Sequence, residues 1–162
     1  MPDSGEQAGR AEEHVVIFRL GEEFYALDIQ SIQEIVRMQA ITPIPGAEPW
    51  VEGITNLRGR VVPVIDLRVR CGMAPADHSA ETRIVVVNAE GGMVGFIVDA
   101  VTEVMRIPAD QIEPPAPFVS SAGRYVRGIA KLEDRLVSLM NLAGVLPGDD
   151  DLALSDSETE AA

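Results

Sequence analysis

The sequence is poor in several residue types, and each shortage narrows what it can do. A single cysteine, Cys71, leaves no intramolecular disulfide to staple the fold. One lysine, Lys131, and a formal charge of −13 disfavour a nucleic-acid or anionic-membrane partner, because neutralising phosphates needs a basic surface. The two histidines, His14 and His78, have no His, Cys, Asp or Glu at a zinc-ligand spacing and read as ordinary surface residues. No apolar run approaches the roughly 18 residues of a membrane span, and no basic leader with an apolar centre opens the chain. A cytoplasmic protein is expected. Aromatic residues make up 4% of the chain, which argues against a module for Pro-rich peptides, whose grooves are lined with Tyr and Trp.

Signals of catalysis are equally sparse. There is no G-x-S-x-G elbow, and "EGGMVG" has neither the spacing nor the following helix of a nucleotide-binding loop. Asp66 and Asp99 stand at strand ends where an aspartic hydrolase could carry its pair. Leu67 and Ala100 follow them instead of Thr/Ser-Gly, so both read as caps of the turns after their strands. Cys71 reads as a small half-buried hydrophobe. No nucleophile, base and orienting group come together, and no catalytic residue, cofactor or metal is expected.

What the chain does have is apolar material. With 162 residues and 46% hydrophobic content it suits one domain, or two small units sharing a core; at about 150 residues roughly two-thirds of the unfolded surface is buried. The charge is unevenly placed. Residues 149–162 hold six acids and no base, and residues 1–13 hold four acids against Arg10, leaving sixteen acids against twelve bases between them. We therefore expect disordered acidic tails over 1–13 and 148–162 and a folded unit over 14–147.

Short Val/Ile/Leu-rich runs bounded by Gly, Pro, Asp or Asn dominate: "HVVIFRL", "FYALDI", "VEGITNL", "RVVPVIDL", "TRIVVVN", "MVGFIV", "YVRGIAKL" and "RLVSLM". They predict an all-β fold. The chain also repeats itself. "VEGITNLRGRVVPVIDL" (Val51–Leu67) lies over "VRGIAKLEDRLVSLMNL" (Val126–Leu142), and "FYALDIQSIQEIVR" (Phe24–Arg37) over "MVGFIVDAVTEVMR" (Met93–Arg106). Each copy reads as hairpin, short helix, Pro-rich extended connector and hairpin. Ser31-Ile-Gln-Glu34 has the form of a capping box, Asp99 is placed to cap the second helix, and "MNLAGVLPG" predicts a last short helix ended by Gly144 or Pro147. One copy has too few strands to bury both faces, so the two must pack together as a pair of small barrels with a groove between them.

The repeats differ where the hairpin turns. Arg58-Gly59 at the first tip becomes Glu133-Asp134 at the second. Gly59 suits a turn position of positive φ and presents Arg58 outward on a stiff ribbon, beside Arg60, Arg68 and Arg70. A preserved frame with reversed charge implies that the tips meet different neighbours, and arginine is a good interface anchor.

"YALDIQSIQEIV", "IPGAEPWVEGITNLRGRVVPVIDL", "VGFIVDAVTEVM" and "YVRGIAKLEDRLVSLMNL" together resemble the chemotaxis coupling family CheW over roughly His14 to Leu146. The resemblance implies an all-β fold with short helices, built as two intertwined five-stranded SH3-like β-barrels with a groove between them. It implies a non-enzymatic adaptor, joining the helical cytoplasmic tip of chemoreceptors to the regulatory domain of the histidine kinase CheA at membrane-associated arrays, without itself touching the membrane. Other CheW-like domains in rings are further partners of the family. By position, the receptor-contacting arginine falls on Arg58, its neighbouring glycine on Gly53 and two helix positions on Ile32 and Glu34. Asn56, Leu57 and Gly59 complete the motif as shape, and Gly95 and Val98 match positions lining the groove. The kinase surface is not assigned to single residues; the tip at Glu133-Asp134 is a candidate for it.

Overall fold

Eleven strands account for most of residues 11–89, 91–114 and 125–146, the residues described by the computed structural model. They are β1 (Glu12–Leu20), β2 (Glu23–Asp28), β3 (Ile32–Arg37), β4 (Val51–Leu57), β5 (Arg60–Asp66), β6 (Arg83–Ala89), β7 (Gly92–Val98), β8 (Ala100–Pro108), β9 (Ile112–Glu113), β10 (Val126–Lys131) and β11 (Leu136–Met140). Two four-residue helices, α1 (Leu67–Arg70) and α2 (Leu142–Val145), follow β5 and β11. The latter ends at Val145, between the two stops that the sequence offered.

The strands form two sheets, ordered β3-β6-β7-β5-β4 and β8-β1-β2-β11-β10-β9. Apart from the two-residue β9, the orders correspond element by element under the internal repeat. The parallel contact between β2 and β11 pairs Ala26 with Leu139, and that between β7 and β5 pairs Gly95 with Val64 at the equivalent place. Each sheet takes hairpins from both halves of the chain: β1-β2 joins the later strands and β6-β7 the earlier ones. The barrels are therefore intertwined.

Each sheet closes on itself through its connector. Thr42 exchanges two backbone hydrogen bonds with Ile54 of β4, at 2.8 and 2.9 Å, and the Thr55 hydroxyl donates to the Ala40 carbonyl. In the second barrel β9 plays the same part, pairing Ile112 with Ala130 and Glu113 with Ile129.

Burial follows the repeat as well. Leu57, Val62, Val64, Ile84, Val86 and Ile97 fill the first barrel; Val15, Ile17, Ala26, Val137 and Leu139 are among those filling the second. A third cluster lies between them and includes Phe18, Leu27, Ile65, Leu67, Val85, Phe96, Val98 and Met140. Strand β1 explains how one segment serves two cores: Val15 and Ile17 face the second barrel, while Phe18 and Leu20 face the shared core. Successive side chains of a strand point to opposite faces, so a strand buried on both reads as the unbroken run "VVIF".

Three expectations need correction. No helix starts at Ser31: Asp28 caps a single 3₁₀ turn over Ile29–Ser31 by accepting from the Gln30 N–H, and Ile32–Arg37 is strand β3. Ile32, Ile35 and Val36 are β-branched, and alternating half-burial from Ile32 to Arg37 suits a pleated edge better than a helical stripe. Nor does Asp99 cap a helix. It stands between β7 and β8 and accepts from the Gly21 N–H and from Arg68 Nη1, at 2.5 and 2.6 Å. Finally, β1 begins at Glu12, inside the expected tail, because Glu12 and Glu13 pair with Pro108 and Ile107 of β8. Glu13 is also bound by Arg127. Of the expected tails, residues 1–10 and 148–162 lie outside the described residues, as does 115–118 of the second connector, whose residues 109–111 form a 3₁₀ turn.

Candidate functional site

The first hairpin turns in two residues, both of positive φ: Arg58 at 54° and Gly59 at 83°. That is the type I′ turn whose twist matches the flanking strands. Glycine takes this conformation freely, whereas arginine does so at a cost of about 1 kcal/mol. Asn56 supports the tip, its Oδ1 accepting from the Gly59 N–H at 2.8 Å. Arg58, with 69% of its side chain exposed, reaches Glu34 on β3. That bond is the main reason the Glu34 carboxyl is held below the usual carboxylate range. Arg58 and Glu34 thus join the two edge strands of the first sheet at one end of the barrel.

The second hairpin keeps the frame, with the Leu132 N–H donating to the Arg135 carbonyl at 3.0 Å. Its tip is different: among the described residues Arg58 is the one non-glycine residue of positive φ, so neither Glu133 nor Asp134 copies it. Glu103, the equivalent of Glu34, bonds instead to Arg135, which is the equivalent of Arg60 and lies with its guanidinium carbon 4.8 Å from the Phe24 ring centroid. The cation has moved from the tip into the barrel wall. Exposed Arg58 and Arg60 mark one barrel end, and exposed Glu133 and Asp134 the other.

The residues singled out from the sequence divide by burial. Arg58, Asn56 and Gly59 are exposed, and Glu34 and Ile32 are half-buried on β3, the latter packed against the shared core. Leu57 belongs to the first barrel's core, and Gly95 and Val98 are buried, so none of the three is presented at the surface. Gly53 is also buried, for a local reason: a Cβ there would stand 2.1 Å from the Thr42 carbonyl oxygen that closes the barrel, and its φ is +149°. Asp66 caps α1 as expected, accepting from the Arg68 N–H at 3.0 Å.

Among the exposed apolar residues that were missed, four lie on strands: Ile35 and Val61 in the first barrel, Val104 and Leu136 in the second. They are equivalent in pairs under the repeat, and each directly follows a glutamate, or lies within three residues of an arginine, of the two ion pairs just described. Alternation along each strand, read in the register of the repeat, would have found them. A polar cleft of about 580 Å³ lined by Glu12, His14, Asp28, Gln30 and Arg106, among others, holds none of the predicted site residues. Among the described residues no cluster of His, Cys, Asp and Glu could hold a metal ion, and no helix is long and apolar enough to cross a membrane.

Comparison with known proteins gives a consistent result. The profile of the CheW-like domain family matches residues 14–149. The chain is 35% identical to the chemotaxis protein CheW of Klebsiella aerogenes over 95% of its own length and 91% of the relative's, and 36% identical to that of Helicobacter pylori, covering 82% and 80%. It is also 31% identical to protein PilI of Pseudomonas aeruginosa, over 69% and 64%. Among solved structures, the scaffolding protein TtCheW from Thermoanaerobacter tengcongensis superposes with a TM-score of 0.78 at 40% identity, covering 85% of this chain and 94% of that one.

Proposed function

The chain belongs to the CheW-like domain family, and from that premise we propose that it is a non-enzymatic adaptor that couples the helical tips of chemoreceptors to the regulatory domain of the histidine kinase CheA. The observation that carries this reading is the pair of equivalent barrel ends bearing opposite charge. At one end Arg58 stands outward on a two-residue turn, its guanidinium oriented by Glu34, and the same barrel exposes the apolar side chains of Val61 and Ile35. Such an end suits a helical tip, whose apolar face lies against the barrel while its carboxylates or carbonyls meet the fork of Arg58.

At the other end Glu133 and Asp134 are exposed, on the barrel that also exposes Leu136 and Val104. This surface suits a second, more basic partner, and the related barrels of the kinase, or of another CheW-like domain in a ring, are the partners proposed for it. The adaptor works in the cytoplasm at receptor arrays, where weak contacts made in number give stable assembly.

Calorimetric titration of the chain against a receptor-tip helical hairpin, and separately against the kinase regulatory domain, tests this. Arg58→Glu is expected to weaken the receptor contact by about 1–3 kcal/mol and leave the kinase contact intact; Leu136→Asp is expected to do the reverse. Equal loss of both contacts in either variant would sink the assignment of partners to ends.

A further inference from the structure

Arg70 is a buried cation, 8% exposed, at the end of α1. Its guanidinium carbon lies 4.4 Å from the ring centroid of Trp50 and 6.0 Å from that of Tyr125. These two aromatics are equivalent under the internal repeat, each immediately preceding the first strand of a duplicated hairpin. The equivalent of Arg70 itself is Val145, at the end of α2, and it is to the Val145 carbonyl that Arg70 Nε donates, at 2.8 Å, while Nη2 donates to the Leu146 carbonyl at 3.1 Å. Arg70 therefore stands at the junction of the two repeats. It departs from a symmetric pattern, belongs to the first barrel and donates from Nε and Nη2 to the second.

The setting explains why this residue is an arginine. Carbonyls at a helix end lack intrahelical partners, and a cation satisfies them. The faces of Trp50 and Tyr125 favour a guanidinium by their quadrupoles, and a buried charge requires such company. The apolar cluster around it, with Leu67, Met140 and Val145, holds the barrels together, but apolar burial is non-directional. Hydrogen bonds are directional; they weaken steeply as the donor–hydrogen–acceptor angle departs from linear.

We propose that Arg70 is a pin that fixes the angle between the two barrels. The angle matters because the two barrel ends take different partners, a point that rests on the function proposed above: a head-to-tail chain of subunits closes into a ring only at one rotation per subunit. Arg70 is a positioning residue in this scheme and touches neither partner.

The test uses the full chain without partners, so that failure of the partner assignments leaves its result standing. In a Cys71→Ala background, nitroxides are placed at Val61→Cys and Leu136→Cys, on exposed positions of opposite barrels, and their separation is measured by double electron–electron resonance. A single narrow distribution is expected with Arg70 present. Arg70→Met should broaden or shift it while hydrogen exchange still shows β1 and β6 protected, and Arg70→Lys, which keeps charge but not the planar fork, should fall between. An unchanged distribution in Arg70→Met, whatever the fall in melting temperature, overturns the proposal. Should Arg70→Met fail to fold, Arg70→Lys decides on the same terms.

Discussion

Arg58 Nη1 and Glu34 Oε2 lie 2.5 Å apart across the closing edge of the first barrel, while in the second repeat the equivalent glutamate, Glu103, takes an arginine two residues further along the hairpin. The same acid thus serves two ends. In one it orients a presented cation, and in the other it neutralises a cation drawn into the wall.

The first pair has a measurable consequence in pH. Because the bond from Arg58 lowers the Glu34 pKa, the pair is fully formed above the ordinary glutamate value and is lost as pH falls through the depressed one. A carboxyl-carbon NMR titration should place Glu34 below free glutamate, and Arg58→Glu should return it to the ordinary range or above. Identical midpoints in the two proteins would show that the pair does not form in solution.

Gly53 should tolerate no side chain. Alanine would meet the Thr42 carbonyl, a backbone atom that cannot swing aside, in a conformation that side chains rarely adopt. Gly53→Ala is expected to cost on the order of 3 kcal/mol, read as a lower urea midpoint. Any loss of receptor binding would then follow from a deformed hairpin, and a variant as stable as the parent would contradict this account.

Cys71 should be a sluggish thiol. Burial pushes its pKa up to about 11, which leaves roughly 100-fold less thiolate at pH 8 than the unperturbed value of 9.0 would give. Alkylation in the folded chain should be slow by about that factor and recover in denaturant. The raised pKa also means that the stability it contributes is complete below pH 9 and lost as pH rises towards 11, a slope that Cys71→Ala should flatten.

Asp99 should matter more than a surface acid. It accepts from the Gly21 N–H of one barrel and bonds Arg68 of the other. Asp99→Ala leaves both donors unmatched, and a loss of about 1–3 kcal/mol in chemical denaturation is expected, with Asp99→Asn recovering part of it. A cost below about 0.5 kcal/mol would place the contact with ordinary exposed pairs.

The helix expected from Ser31 shows where sequence reading fails. A capping box is a local pattern, and it competes here with the alternation of Ile32, Glu34 and Val36, which becomes decisive only when β6 lies alongside β3. Asp99 fails in the same way, since the Gly21 amide that claims it is 78 residues distant in the chain. Gly59 and Asp66 were legible because their partners are two or three residues away.

Eight of the eleven strands, the duplication, the tip carrying Arg58 and the reversal of charge at Glu133-Asp134 were legible in the chain alone, because alternation, turn chemistry and repeat register are written in neighbouring residues. The exchange of hairpins between barrels, the hold of Glu34 on Arg58 and of Glu103 on Arg135, and the place of Arg70 beside Trp50 and Tyr125 come into being with the folded chain. Those relations join residues from about 20 to more than 110 positions apart in the chain, and they exist only once apolar burial has brought the two repeats face to face.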